Sequence, residues 1–178
     1  MSPQSPCPVL PALAGVLVLV LAGCTGLSTG SAPADTPGVA TVVFRPVAGS
    51  PSSLQVMQFD PQGCQQASGA VPHDGDGTPL RLRPAQERFF ALRADRGPDV
   101  CSVVVSFTPE PGARYAVVEL KDDPNGVLGT QPCGVRIERV DGQAAASGID
   151  ATPWTMRRSG PSCVRPVEST GAAVTLPK

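Results

Sequence analysis

The sequence predicts an all-β protein, an antiparallel β-sandwich of roughly seven or eight strands. Short segments alternate between apolar and polar residues, as strands with one buried face do. Glycine and proline, 19 and 21 of the 178 residues, are concentrated between these segments. Apart from one candidate helical turn at residues 143–146, the chain after residue 39 lacks amphipathic helical periodicity. Apolar residues at 41% and charged residues at 16% argue against a disordered chain.

The alternating segments predict the strands in chain order. They cover residues 39–45, 54–59, 80–83, 88–94, 100–107, 113–120, 133–140 and 152–156, with a last edge strand at 172–176. Turn-forming groups such as Pro109-Glu110-Pro111-Gly112 and Asp141-Gly142 separate them. The predicted domain is therefore built from short strands joined by tight connections.

An uncharged apolar run fills residues 9–22. It is too short to span a bilayer as a helix and fits the apolar helix of an export signal. The run ends in Leu21-Ala22-Gly23-Cys24, which resembles the lipobox of bacterial lipoproteins. The resemblance implies cleavage before Cys24, a diacylglycerol thioether on its sulfur and acylation of its amine, for example by palmitate. The alternative is an ordinary secretory signal in which Cys24 is unmodified.

These features divide the chain into three parts. Residues 1–23 are the predicted lipoprotein signal peptide, residues 24–38 the lipidated cysteine with a flexible tether, and residues 39–178 the sandwich domain. Thr25 occupies the position where a lipoprotein retained in the inner membrane usually has Asp. The resemblance therefore implies the outer membrane, with the domain facing the periplasm.

The region 89–140 carries a second, structural resemblance. An apolar strand, a Pro-Gly turn and the Gly112-Ala113-Arg114-Tyr115 strand start are similar to uncharacterised envelope lipoproteins with a small β-sandwich domain. This resemblance implies fold and location, and it brings no catalytic residue with it.

Four cysteines remain once Cys7 leaves with the signal and Cys24 takes the lipid. Cys64, Cys101, Cys133 and Cys163 are evenly spread, with no Cys-x-x-Cys pair, which argues against a zinc or thioredoxin-like site. In an exported chain they predict two structural disulfides. Of three pairings, the sequential one, Cys64–Cys101 with Cys133–Cys163, is preferred, and the other two stay open.

The segment around His73, the single histidine, is the first candidate for chemistry. Asp74 and Asp76, separated by glycine, resemble a fragment of a calcium loop, yet the remaining ligands of that loop are missing. A solvated turn is the main interpretation, and the two aspartates are only weak metal candidates. His73 lacks a recognisable nucleophile beside it, so no catalytic residue is assigned.

Trp154 with Arg157 and Arg158 is the second candidate. One aromatic ring and two guanidinium groups could bind a glycan or an anionic partner, although a lone tryptophan more often packs in or beside a core. Asp122-Asp123-Pro124-Asn125-Gly126 is interpreted as a loop. Walker A, dinucleotide and His-Glu-x-x-His motifs are missing, and the net charge of −1 gives no field for nucleic acid.

Together these observations predict a non-enzymatic lipoprotein without a cofactor. It would be held at the membrane through Cys24 and serve a structural or adaptor role toward an envelope protein partner. The alternative is a ligand-binding module for a glycan, peptide or metal ion in the periplasm. A hydrolase is a third class, which requires His73 in a cleft beside a nucleophile.

Overall fold

The computed structural model describes residues 31–96, 99–121, 134–140 and 147–169. Within these ranges the chain forms eleven strands and no helix. The strands are β1 (Ala40–Arg45), β2 (Ser52–Phe59), β3 (Gln65–Ala70), β4 (Leu80–Leu82), β5 (Arg88–Arg96), β6 (Asp99–Phe107), β7 (Arg114–Leu120), β8 (Gly134–Arg139), β9 (Ser147–Ile149), β10 (Thr152–Arg158) and β11 (Val164–Glu168). The predicted signal helix, the helical turn at 143–146 and the strand at 172–176 lie outside the described residues.

The strands form two sheets. One has five strands in the order β4-β1-β7-β8-β9, and the other has six in the order β11-β10-β6-β5-β2-β3. Residues from both sheets share one buried core, so the fold is the predicted β-sandwich. The strand number exceeds the prediction because β3, β9 and β11 were not predicted.

Alternation along the strands builds the core. On β1 the side chains of Val42 and Phe44 are fully buried, and on β5 those of Phe90 and Leu92 are too. The rings of Phe90 and Phe107 stack with their centroids 5.4 Å apart. Successive side chains of a strand point to opposite faces, so the residues between these face outward. The predicted apolar-polar pattern therefore places the inner faces correctly.

One strand pair departs from the predicted antiparallel arrangement. β1 lies between β4 and β7, antiparallel to β4 but parallel to β7, with Val43 opposite Ala116. The other strand pairs of the described residues are antiparallel. Parallel neighbours need a long crossover, and here the intervening chain passes through the six-stranded sheet before returning. β1, the first strand in chain order, is thus an interior strand of the five-stranded sheet.

The chain ahead of β1 lies against the edge strand β4. The amide of Ala32 donates to the carbonyl oxygen of Arg81 at 2.7 Å, and Ala32 is 5% exposed. In return, Nη2 of Arg81 donates to the carbonyl oxygens of Pro33 and Ala34 at 3.1 and 2.7 Å. Part of the segment predicted as a tether therefore contacts the domain, which leaves residues 25–31 between Cys24 and this contact.

The turn between β6 and β7 is fastened by a tyrosine. The Oη of Tyr115 accepts a hydrogen bond of 2.9 Å from the amide of Glu110, five residues earlier. Tyr115 is 3% exposed, and its ring meets that of Phe107 edge to face. A buried tyrosine bonded to the backbone a few residues upstream is a recurrent feature of sandwich corners. It fixes the angle at which the chain crosses between the sheets.

The disulfide pairing differs from the preferred one. Cys64 is bonded to Cys163, so the predicted Cys64–Cys101 and Cys133–Cys163 pairs are wrong. Cys64 lies in the β2–β3 turn, level with the far end of β6, whereas Cys101 lies near the start of β6, where it faces the core. Because a strand rises about 3.3 Å per residue, most of the length of β6 separates Cys101 from Cys64. Cys101 is itself disulfide-bonded, to a partner outside the described residues.

Candidate functional site

The outward face of the six-stranded sheet has an apolar cluster of its own. Met57 and Val104 are only 6% and 7% exposed, although they lie outside the sandwich core. Beside them the rings of Phe59, Phe89 and Trp154 form a row, with successive centroids 4.9 and 5.2 Å apart. We call these five residues the outer-face cluster. A second buried apolar group on an outer face indicates that something covers it.

Trp154 is held in this cluster by a chain of two hydrogen bonds that runs through the buried Ser106. Its Nε1 donates to Oγ of Ser106 at 2.7 Å, and that hydroxyl donates to Oε1 of Glu87 at 2.7 Å. Ser106 is 1% exposed. Because a buried donor without a partner is costly, the chain stabilises one position of the indole ring. The indole N–H is therefore engaged within the domain.

The two arginines predicted to accompany Trp154 do not converge with it. Arg157 and Arg158 are both exposed on β10, where they pair with Arg165 and Val164 of β11. Side chains alternate along a strand, so Arg157 projects to the side opposite Trp154. By the same alternation Arg158 lies on the side of Trp154, four residues further along β10, so the two arginines project to opposite sides of the hairpin.

The β10–β11 hairpin leaves the sheet after Trp154. β10 pairs with β6 only over Thr152–Trp154, and from there to Arg158 it pairs with β11 alone. The turn of the hairpin carries Cys163, which is bonded to Cys64 of the β2–β3 turn. The disulfide therefore joins the hairpins at the two opposite edges of the six-stranded sheet.

This bond requires the hairpin and the opposite edge of the sheet to curve toward each other. Six flat strands would separate the two edges by about 24 Å. The Cα atoms of Cys64 and Cys163 are 5.0 Å apart. The inner face packs against the five-stranded sheet, so the edges approach each other over the outer face. The outer-face cluster lies on this side of the sheet, where the ring of Trp154 on the hairpin contacts that of Phe89.

The loop around His73 forms the second predicted site. The side chain of His73 is 44% exposed, its Nδ1 lies 3.6 Å from Oδ2 of Asp76, and its ring meets that of Phe44 edge to face. Asp74 instead accepts a hydrogen bond of 2.6 Å from Nε of Arg45. The two aspartates thus have different partners. Among the described residues, no three His, Cys, Asp or Glu side chains are grouped to hold a metal ion.

A shallow depression lies beside this loop. Its volume is about 70 Å³, and Arg45, Asp74, Arg114 and Tyr115 are among the residues that line it. Pockets for small molecules typically measure about 300–1,000 Å³. The depression can therefore hold a few water molecules or one small ion, but it cannot enclose a sugar or a peptide.

Two buried carboxylates were not singled out from the sequence. Glu119 is 3% exposed and accepts hydrogen bonds from the amide of Val47 and the hydroxyls of Ser50 and Ser52. Glu138 is 9% exposed and binds the guanidinium of Arg136. The sequence did indicate that Glu119 is buried, because this residue interrupts the inward-facing apolar series of β7. Both carboxylates accept structural hydrogen bonds, which indicates a stabilising role.

Arg88 lies at the start of β5. Burial lowers the pKa of its guanidinium, and the neighbouring charge of Arg83 lowers this pKa further. Arginine starts from such a high pKa that it stays charged in proteins at neutral pH. Arg88 is thus a cation beside the core, and Gln86 binds it at 2.8 Å.

The described ranges contain no helix with the length and apolar character needed to cross a bilayer. Comparison of the chain with known protein families, curated proteins and solved structures finds no match.

Proposed function

We propose that this protein is a lipid-anchored lipoprotein of the bacterial outer membrane, whose sandwich domain has a non-enzymatic structural or adaptor role in the periplasm. The observation that carries the proposal is Leu21-Ala22-Gly23-Cys24 at the end of an uncharged apolar run. Two or three acyl chains on Cys24 would anchor the protein stably, since each buried CH₂ contributes about 0.8 kcal/mol.

The attachment of the N-terminal segment sets how an anchored domain would lie. Only residues 25–31 separate Cys24 from Ala32, which is hydrogen-bonded to β4. Even fully extended, this connection spans less than about 30 Å. An acylated Cys24 would therefore keep the β4 edge of the five-stranded sheet close to the lipid headgroups.

The polar groups of the domain support a non-enzymatic role. His73 lies on a half-exposed loop beside Asp76, and Ser106 is occupied by Trp154 and Glu87. General base catalysis requires a base within hydrogen-bond reach of the proton that it removes. No hydroxyl or thiol of the described residues is hydrogen-bonded to His73. The packing of Trp154 likewise gives the ligand-binding alternative less support than the adaptor.

The edge strand β3 is the element best suited to docking a partner. Within the described residues it pairs on one side only, with β2, and it contains neither proline nor lysine. Such an edge can accept an extended strand of another protein. By contrast, β11 carries Pro166, and the free side of β4 receives the amide of Ala32.

The anchor is tested by mass spectrometry of the mature N-terminal peptide and by membrane fractionation. We expect the peptide to begin at acylated Cys24, and we expect Cys24→Ser to remove the lipid and impair cleavage at Gly23. Cys7→Ser is the matched control and should leave the lipid in place. A mature chain with unmodified Cys24 would disprove the proposal.

The adaptor role is tested at β3. The amide of Val71 bonds to Leu54, so by alternation Ser68 directs its own amide away from β2. Ser68→Pro therefore removes an outward donor without breaking the β2–β3 pairing. We expect it to abolish capture of an envelope partner by the lipidated protein, whereas Ser68→Ala should retain that partner. Equal capture by both variants would exclude this edge as the docking site.

A further inference from the structure

The disulfide-bonded cysteines of the described residues differ in position. Cys101 is 4% exposed and belongs to the sandwich core. Cys64 and Cys163 are half-buried and lie in hairpin turns at opposite edges of the six-stranded sheet. Thiol–disulfide exchange requires that a thiolate reach a sulfur atom, so access differs between these cysteines. Cys64 and Cys163 are therefore more accessible to a thiolate than Cys101.

A cation also lies beside one sulfur atom of the Cys64–Cys163 bond. Nη2 of Arg165 is 3.9 Å from Sγ of Cys163. A neighbouring guanidinium stabilises a thiolate, and a thiol of lower pKa is the better leaving group in exchange. The expected attack therefore falls on Sγ of Cys64, with Cys163 leaving.

The hairpin that this bond holds is otherwise weakly attached to the sheet. β10 shares only Thr152–Trp154 with β6, and beyond Trp154 the hairpin reaches the β2–β3 turn through the disulfide. The outer-face cluster lies between these two attachments. Without the disulfide, the contacts of Trp154 would be the remaining link, among the described residues, between the hairpin and the cluster.

From these observations we infer that Cys64–Cys163 is a thiol–disulfide exchange site for dithiol reductants, and that its reduction releases the β10–β11 hairpin and uncovers the outer-face cluster. The first thiolate of the dithiol attacks Cys64 and forms a mixed disulfide, while Cys163 leaves as a thiolate and takes up a proton. The second thiolate of the reductant then displaces Cys64. The reductant becomes a disulfide, and two electrons and two protons reside on the two cysteine thiols.

Trp154 is the single tryptophan of the chain and lies at the hinge of the hairpin. The experiment treats the purified, oxidised protein with increasing dithiothreitol, labels free thiols with a maleimide, and follows tryptophan emission and circular dichroism. We expect Cys64 and Cys163 to be labelled before Cys101. At that stage the emission should shift to longer wavelengths, because the indole becomes hydrated, while the β-sheet spectrum is retained.

Three variants sharpen the test. Arg165→Gln should slow the first reduction by about threefold, since a leaving-group pKa about one unit higher lowers the exchange rate by that order. Arg157→Gln removes a charge from the paired residue of the same hairpin and should leave the rate unchanged. The Cys64→Ser/Cys163→Ser variant should show the shifted emission without reductant.

Four results would contradict the inference or a part of it. Reduction of Cys101 first, loss of all β structure together with the first labelling, or selective reduction without an emission shift would each overturn the inference. An equal rate for Arg165→Gln and Arg157→Gln would overturn the role of Arg165. None of these results depends on the lipid at Cys24, so the proposed function is tested separately.

Discussion

The hydroxyl of Ser52 donates a hydrogen bond of 2.7 Å to the carboxylate of Glu119, which lies 67 residues further along the chain. The same carboxylate accepts hydrogen bonds from the amide of Val47 and the hydroxyl of Ser50. A single side chain of the five-stranded sheet thus holds the connection that carries the chain from β1 to the six-stranded sheet. Its burial makes each of these bonds costly to lose.

Replacing this carboxylate should therefore destabilise the fold. We expect Glu119→Ala to lower the free energy of unfolding by about 2–4 kcal/mol, because the three donors are left without their acceptor. Ser50→Ala removes one donor and should cost about 0.5–1.5 kcal/mol. Urea unfolding followed by circular dichroism measures both. A value for Glu119→Ala no larger than that for Ser50→Ala would contradict the assigned role.

Two adjacent phenylalanines should differ in their contribution to stability. Phe90 is fully buried against Phe107, whereas Phe89 is half-buried on the outer face. We expect Phe90→Ala to lower the free energy of unfolding by about 3–5 kcal/mol. Phe89→Ala should cost less but should shift the emission of Trp154, whose ring it contacts. Thermal unfolding and fluorescence of the two variants check this; the reverse order of stability would refute the assignment of faces.

The hydrogen bond of Tyr115 in the β6–β7 turn can be tested by a conservative substitution. Tyr115→Phe retains the ring beside Phe107 and removes only the oxygen that accepts the amide of Glu110. The unfolding free energy should fall by about 0.5–1.5 kcal/mol. Tyr115→Leu is the companion variant and should cost more, because the aromatic contact is lost as well. Denaturation of both variants provides the comparison, and a neutral Tyr115→Phe would show that the hydrogen bond adds nothing.

Peptide mapping under non-reducing conditions should recover two disulfide-linked peptide pairs. One joins Cys64 to Cys163. The second is expected to join Cys101 to Cys133, the remaining cysteine of the predicted set. Recovery of Cys133 as a free thiol, or of Cys101 linked to Cys7 or Cys24, would contradict the two-disulfide arrangement.

The sequence predicted strands well where apolar and polar residues alternate. The predicted segments 39–45, 80–83 and 100–107 agree closely with Ala40–Arg45, Leu80–Leu82 and Asp99–Phe107. The missed strands lack that alternation. β3 consists of glutamine, alanine, serine and glycine, β9 has three residues, and β11 contains a proline. These strands are defined by main-chain pairing with a neighbouring strand, which the local sequence pattern does not indicate.

Contacts between residues far apart in the sequence were the part of the site that was harder to predict. Four evenly spaced cysteines allow three pairings, and only the order of the strands shows which turns meet. Trp154 contacts Phe89 and Ser106, yet nothing near it in sequence identifies Ser106 as its partner. Glu119, in contrast, was detectable, because a carboxylate in an inward-facing apolar series needs donors to balance its burial.

The position of β1 has a consequence for how the protein is made. β1 is the first strand of the sandwich, but one of its two neighbours is β7, which begins at Arg114. During synthesis, the β2–β3 and β5–β6 hairpins can close as soon as they emerge, since their contacts are local. The partner of β1 arrives roughly seventy residues later, and until then this apolar segment has one side unprotected. A chain halted before Arg114 would expose Val42 and Phe44 on an incomplete sheet, so cellular quality control has a well-defined target in stalled or truncated products.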